Sequence, residues 1–204
     1  MRGKVMPSAF RKTLWSLRGN RYHPCSIMEL LLVRHADAGD PAAFSRTGRP
    51  DDERPLSRKG EEQMRRAAVV LRDLLPGCDT VVSSPLRRAV QTAELLGNAY
   101  GLAAPIQTQV LIPGVPLTEF LVWMARFDET QCVAAVGHEP HLSELATWLT
   151  TGASESGIQL KKGAACLITF TGAVRAGDGT LQWLLQPRQL ELLAASAESS
   201  AARQ

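Results

Sequence analysis

From Leu30 to Val33 the chain reads LLLV and then turns abruptly into Arg34, His35, Ala36 and Asp37. A strand with one wet face alternates apolar and polar residues, whereas one that is apolar at every position has to be covered on both sides. This run therefore demands a sheet held between helices. Two further stretches make the same demand, DTVVSS at 79–84 and QCVAAVGH at 131–138. Segments of helical periodicity separate them. That alternation implies an α/β fold, a three-layer α/β/α sandwich with a mainly parallel sheet and helices on both faces. GAACLITF (163–170) and GTLQWLLQP (179–187) are expected to close the sheet as an antiparallel pair.

The helical segments carry their own punctuation. Across 56–77, Ser57 is placed to cap the N-terminus, Glu61 and Glu62 suit the positive end of the helix dipole, and Pro76-Gly77 stops the helix. Met64, Ala67, Ala68, Leu71, Leu74 and Leu75 recur at helical spacing as one expected buried stripe. A second helix is expected from Pro85 to a C-terminal cap at Gly101, a third over 117–127 and a fourth over 141–152.

With 204 residues, 45% apolar and 21% charged, the chain suits one globular domain of ordinary size. No uncharged apolar run approaches the roughly 18 residues of a membrane span. The net charge of +3 conceals an asymmetry, because residues 1–27 hold six basic residues and no acid, which leaves the remainder at −3. That balance argues against a nucleic-acid surface. The expected organisation is a disordered basic extension over 1–27, with an organelle transit peptide as the alternative, a domain over 28–192 and a frayed tail over 193–204. Cys25, Cys78, Cys132 and Cys166 show no C-x-x-C spacing, so reduced cysteines and a cytoplasmic location are expected, with no metal or cofactor. Asp37, Asp40, His138 and His141 are not spaced as a persuasive ligand set, and His141 is read as a cap or surface residue.

The residues just beyond each buried strand are more informative. The first strand ends in Arg34-His35, the second in Ser83-Ser84-Pro85 with Arg87 and Arg88 one turn later, and the third in Gly137-His138. In parallel sheets, ligands sit beyond the carboxyl ends of the strands. Parallel neighbours would bring two arginines and two histidines to one crevice, and cations do not gather at the edge of an apolar core without an anion to neutralise them. A phosphoryl group suits the fork of arginine donors and a helix N-terminus. A neutral imidazole at His35, fixed at a strand end, can attack phosphorus and form a phosphohistidine intermediate. Arg34, Arg88 and His138 would then bind the equatorial oxygens.

These segments resemble the histidine phosphatase superfamily. VRHADAG is similar to its Arg-His-Gly-type motif, with Ala36 in place of Gly as in the phosphohistidine phosphatase (SixA-type) branch. SSPLRRAVQTAE aligns Arg88, rather than Arg87, with the phosphate-binding arginine; VGHEPHLSEL carries the second catalytic histidine at His138; ERPLSRKGEEQ brings Arg54 toward the site. The resemblance covers about Met28 to Leu192 and implies a phosphoglycerate mutase-like fold. It implies His35, Arg34, Arg88 and His138 as catalytic residues and Arg54 as substrate-binding. Ser84 is expected either to contact substrate or to cap its helix. Mutase-like relatives use an acid to protonate an alcohol leaving group. In TQVLIPGVPLTEF (108–120) the nearest candidate is Glu119, expected to be a solvated first-turn residue. Lack of such an acid favours a phosphoramidate, and hence phosphohistidine on a protein such as a phosphotransfer carrier, as the substrate. A small-molecule phosphomonoesterase and a non-catalytic phospho-ligand binder remain the alternatives.

Overall fold

The computed structural model describes residues 27–201. The expected extension at 1–27 lies outside the described residues apart from Ile27, which opens the first strand. Six strands, β1 (Ile27–Arg34), β2 (Thr80–Ser83), β3 (Ile106–Gln107), β4 (Cys132–Gly137), β5 (Ala165–Thr171) and β6 (Thr180–Leu185), form one sheet in the order β3-β2-β4-β1-β5-β6. The first four are mutually parallel; β5 and β6 close the sheet antiparallel. Among the described residues six α-helices connect or flank them: α1 (Pro41–Ser45), α2 (Arg58–Leu74), α3 (Arg87–Tyr100), α4 (Leu117–Met124), α5 (His141–Thr151) and α6 (Pro187–Ala201). Among the described residues no helix is long and apolar enough to cross a membrane.

The apolar run works as its composition demands. Leu30, Leu31, Leu32 and Val33 have no exposed surface. Because strand side chains alternate between faces, Leu31 and Val33 join a core with Met64, Ala67, Ala89 and Leu190 from α2, α3 and α6. Leu30 and Leu32 join a second core with Phe120 and Met124 of α4 and Leu142 and Leu145 of α5. Each fully buried leucine contributes about 1.5–3 kcal/mol to holding three layers together.

Several expectations hold and several need correction. The Ser57 hydroxyl accepts from the Gly60 amide at 3.0 Å, so α2 starts as expected. Gly101 ends α3 with a left-handed φ of 69°, a conformation that favours glycine. The α2 stripe includes Val70, whereas Leu74 is 45% exposed: the helix stops at Leu74 and the non-helical backbone of Leu75 turns that residue inward instead. Pro85 does not open α3. Ser84 still pairs with β4 through its amide on the Val136 carbonyl, and the helix begins two residues after Pro85, at Arg87. The tail expected to fray from 193 is helical to Ala201, because Leu190 and Ala194 are buried in the core under α6.

Candidate active site

Sheet register builds the site. β4 lies between β1 and β2, pairing Arg34 with Gly137 and Ser83 with Val136. The ladder continues past the strand ends, with the His35 amide on the Gly137 carbonyl and the Ser84 amide on the Val136 carbonyl, each at 3.0 Å. His35, His138 and Ser84 are thereby set side by side at strand spacing, about 4.8 Å. The two imidazole centroids are 4.9 Å apart, inclined at 52°.

Each side chain is then fixed individually. His35 Nδ1 lies 2.7 Å from the Ala36 carbonyl, which can only accept, so this nitrogen carries the proton and Nε2 keeps its lone pair. Arg34 donates through Nη1 to the Leu160 carbonyl at 2.7 Å. Arg88 donates through Nη1 to the Asp51 carbonyl at 2.9 Å and to Asp51 Oδ2 at 3.1 Å. Arg54 is 6% exposed; it donates through Nε to Asp51 Oδ1 at 2.7 Å and through Nη1 to the Ala38 carbonyl at 3.0 Å. After these bonds, Arg34 Nε, Arg88 Nε and His138 Nδ1 are buried with no hydrogen-bond partner among the described residues. Three buried nitrogens, two of them arginine donors, from the ends of β1 and β4 and the first turn of α3, suit a tetrahedral oxyanion.

Ser84 does not cap α3. Its Oγ is 2.6 Å from His138 Nε2, so it sets the ring of that histidine. His141 is not a cap or a surface residue; it is 1% exposed and its Nε2 contacts the Val110 carbonyl at 2.9 Å. Arg87 is exposed while Arg88 is buried, so the second of the paired arginines serves the site. Glu119 is exposed in the first turn of α4. Asp40 caps α1. Asp37 accepts from Lys162 at 2.9 Å and from Ser57 at 2.8 Å, and these bonds, the Lys162 bond foremost, hold its carboxyl at about 2.

Four residues without an assigned role complete the framework. Thr92 accepts from the Ala36 amide and donates to the Arg88 carbonyl, tying the residue after His35 to the helix that carries the arginine. Gln91 accepts from the Leu56 amide. Arg88, Gln91 and Thr92 share a helix face by their i, i+3, i+4 spacing, a signal present in the sequence. Glu139 accepts from the Leu160 amide and so anchors the residue whose carbonyl holds Arg34. Asp51 bridges the two buried arginines. No periodicity marks these last two.

Burial, with the charges of Arg88, Arg34 and Lys162, pushes His35 down to about 4, against the opposing effect of the Ala36 bond. Burial and the neighbouring His35, Arg88 and Arg34 push His138 down to about 3. Both rings are neutral near pH 7 in the folded chain, whereas unfolded histidines titrate near 6.5. Between about pH 4 and 6.5 the unfolded state thus binds the extra protons. Stability should fall as pH is lowered below 6.5, His35 contributing to the loss down to about pH 4 and His138 down to about pH 3. The loss from His35 alone is about 3 kcal/mol. Unfolding free energies in urea between pH 7 and 4 should therefore decline less steeply in His35→Asn than in the parent; identical slopes would show that the imidazole is not held neutral.

Comparison with known proteins agrees with this geometry. A model of the histidine phosphatase superfamily (branch 1) matches residues 30–111, a span that includes His35, Arg54 and Arg88. An uncharacterized protein of Picosynechococcus sp. (strain ATCC 27264 / PCC 7002 / PR-6) is 34% identical over 168 residues, covering 80% of this chain and 99% of its own length. Phosphohistidine phosphatase SixA of Escherichia coli (strain K12) is 27% identical over 170 residues, covering 81% of this chain and 98% of its own. The structure of the protein histidine phosphatase SixA complexed with tungstate superposes with a TM-score of 0.67 at 25% identity, covering 80% of this chain and 99% of that one. The chain belongs to the histidine phosphatase superfamily, as a phosphatase of its SixA-type branch.

Proposed function

We propose that this chain hydrolyses phosphohistidine on a protein through a covalent phosphohistidine at His35. The observation that carries the reading is the set of unpartnered nitrogens, Arg34 Nε, Arg88 Nε and His138 Nδ1, gathered at the strand ends beside an imidazole whose Nδ1 is already committed. His35 Nε2 attacks phosphorus as the bond to the substrate's imidazole nitrogen breaks, and solvent protonates that leaving nitrogen. Water then attacks the phosphorylated His35, releasing phosphate and returning the neutral ring. Arg34 and Arg88 hold the equatorial oxygens through both steps, each charge-assisted bond contributing about 1.5–3 kcal/mol. His138, neutral in the free protein, gains basicity once an anion lies beside it and becomes a further donor.

The acids narrow the substrate class. Glu119 is exposed on α4, and Asp51 is held below the usual carboxylate range, first by its Arg54 bond. Asp51, so held, offers no proton at neutral pH to an alkoxide, and a phosphoramidate needs none from the protein. The segment between Arg88 and His138 supplies α4, whose Phe120, Trp123 and Met124 are buried in the core, so this helix is a packing element rather than a cover for the pocket. A phosphorylated side chain on a carrier protein fits such a site. The buried, free Cys78, Cys132 and Cys166 fit a reducing, cytoplasmic setting. The test compares kcat/KM for a phosphohistidine carrier with that for para-nitrophenyl phosphate. The carrier should be favoured by at least about 10-fold, the effect of one extra well-made interaction. Equal or inverted values would make the protein a small-molecule phosphomonoesterase.

A further inference from the structure

We infer that Asp51 is a positioning residue, which sets the plane of Arg88 and keeps Arg54 beside it so that the Nε edge of Arg88 faces the phosphoryl oxygens. The inference rests on the proposed oxyanion site at the strand ends but not on the identity of its substrate.

The geometry is specific to one edge of the guanidinium. Asp51 engages Arg88 only through Nη1, with both its backbone carbonyl and its Oδ2, while Arg88 Nε is buried and unpartnered. Arg34 repeats the pattern, with Nη1 on the Leu160 carbonyl and Nε unpartnered. Each arginine is thus held at one terminal nitrogen and presents its Nε side. The other carboxylate oxygen of Asp51 takes Arg54 Nε at 2.7 Å. The Arg54 guanidinium lies close enough to disfavour the charge on Arg88, and the side chains of Arg88 and Arg54 are only 9% and 8% exposed. Without a shared counter-charge they would move apart. Asp51 is itself 55% exposed, so it supplies that charge while most of the carboxylate stays hydrated. It is also held in place locally, on the single 3-10 turn 51–53 between Pro50 and Arg54-Pro55.

A carboxylate beside an anion-binding arginine admits an opposite reading, in which it competes with phosphate. The bonds decide between them: carboxylate and oxyanion use different edges of Arg88 and so can be held together. The two readings also differ in sign. Removing a competitor tightens oxyanion binding, and removing a positioning group weakens it.

The experiment is a double-mutant cycle on the full chain, with Asp51→Ala, Arg88→Ala and the pair, reading tungstate dissociation constants by calorimetry. Asp51→Ala should weaken tungstate about 10-fold, and in the Arg88→Ala background the same substitution should cost less than about 2-fold, since contacts coupled through one partner are not additive. Asp51→Glu should recover part of the loss, and Asp51→Asn, which keeps the shape without the charge, carries the test if the alanine variant does not fold. Tighter tungstate binding in either Asp51→Ala or Asp51→Asn overturns the inference, as does full additivity in the cycle. If phosphohistidine turnover is absent but the coupling is found, the proposed substrate is wrong and the positioning role stands.

Discussion

His35→Asn should abolish turnover, by at least about 10⁴-fold, while leaving the affinity for tungstate within about 10-fold of the parent. The two halves of that result have different causes. Turnover needs the lone pair on Nε2, which exists because Nδ1 is committed to the Ala36 carbonyl and because burial and the two arginines keep the ring neutral. An asparagine amide is no nucleophile. In the proposed mechanism oxyanion affinity resides in Arg34, Arg88 and His138, whose fixing partners, the Leu160 carbonyl, Asp51 and Ser84, are untouched by the substitution. Rapid quenching with a labelled phosphodonor should trap an acid-labile phosphoenzyme in the parent and none in the variant. Label retained by His35→Asn would move the nucleophile elsewhere and end the covalent mechanism through His35.

Gly60→Ala is expected to cost stability although alanine is the better helix former by about 1 kcal/mol. A Cβ at position 60 would stand 2.1 Å from the Asp37 carbonyl oxygen, against backbone that has little room to yield. That carbonyl accepts the Ser57 amide at 2.9 Å, and the Asp37 carboxylate accepts the Ser57 hydroxyl. The first turn of α2 is therefore laid directly on the chain two residues beyond His35. Separating them should cost about 1–3 kcal/mol net, and the shift should reach the Ala36 carbonyl that sets the His35 tautomer. Urea unfolding and turnover should both register the change. An alanine variant as stable and active as the parent would mean that α2 does not approach this loop so closely.

Part of this is legible in the sequence. The continuous apolar runs at 30–33 and 132–136 could only be strands covered twice, and they are. The basic residues immediately after them, Arg34, His35 and His138, had no use in a core, and the two histidine rings meet beyond the ends of β1 and β4. Ser57 and Gly101 announced a helix start and a helix end through local backbone needs that a few neighbours satisfy. Where a residue's fate depends on something distant, reading the chain failed. His141 looks like a surface residue at a helix start and is buried against Val110. Ser84 looks like a cap, yet its hydroxyl goes to His138, 54 residues away.

The sequence alone determined the layers, the strand ends and which residue types would meet there, because apolar periodicity and end signals act over three or four residues. The tertiary structure alone decided that β4 would lie between β1 and β2, and so that His35 would face His138. It also decided that Arg88 would be held by Asp51, 37 residues earlier, and Arg34 by Leu160, 126 residues later. Those choices depend on strand order and loop packing, and a chain of residues carries no local mark of which distant carbonyl or carboxylate will be brought within about 3 Å of a guanidinium.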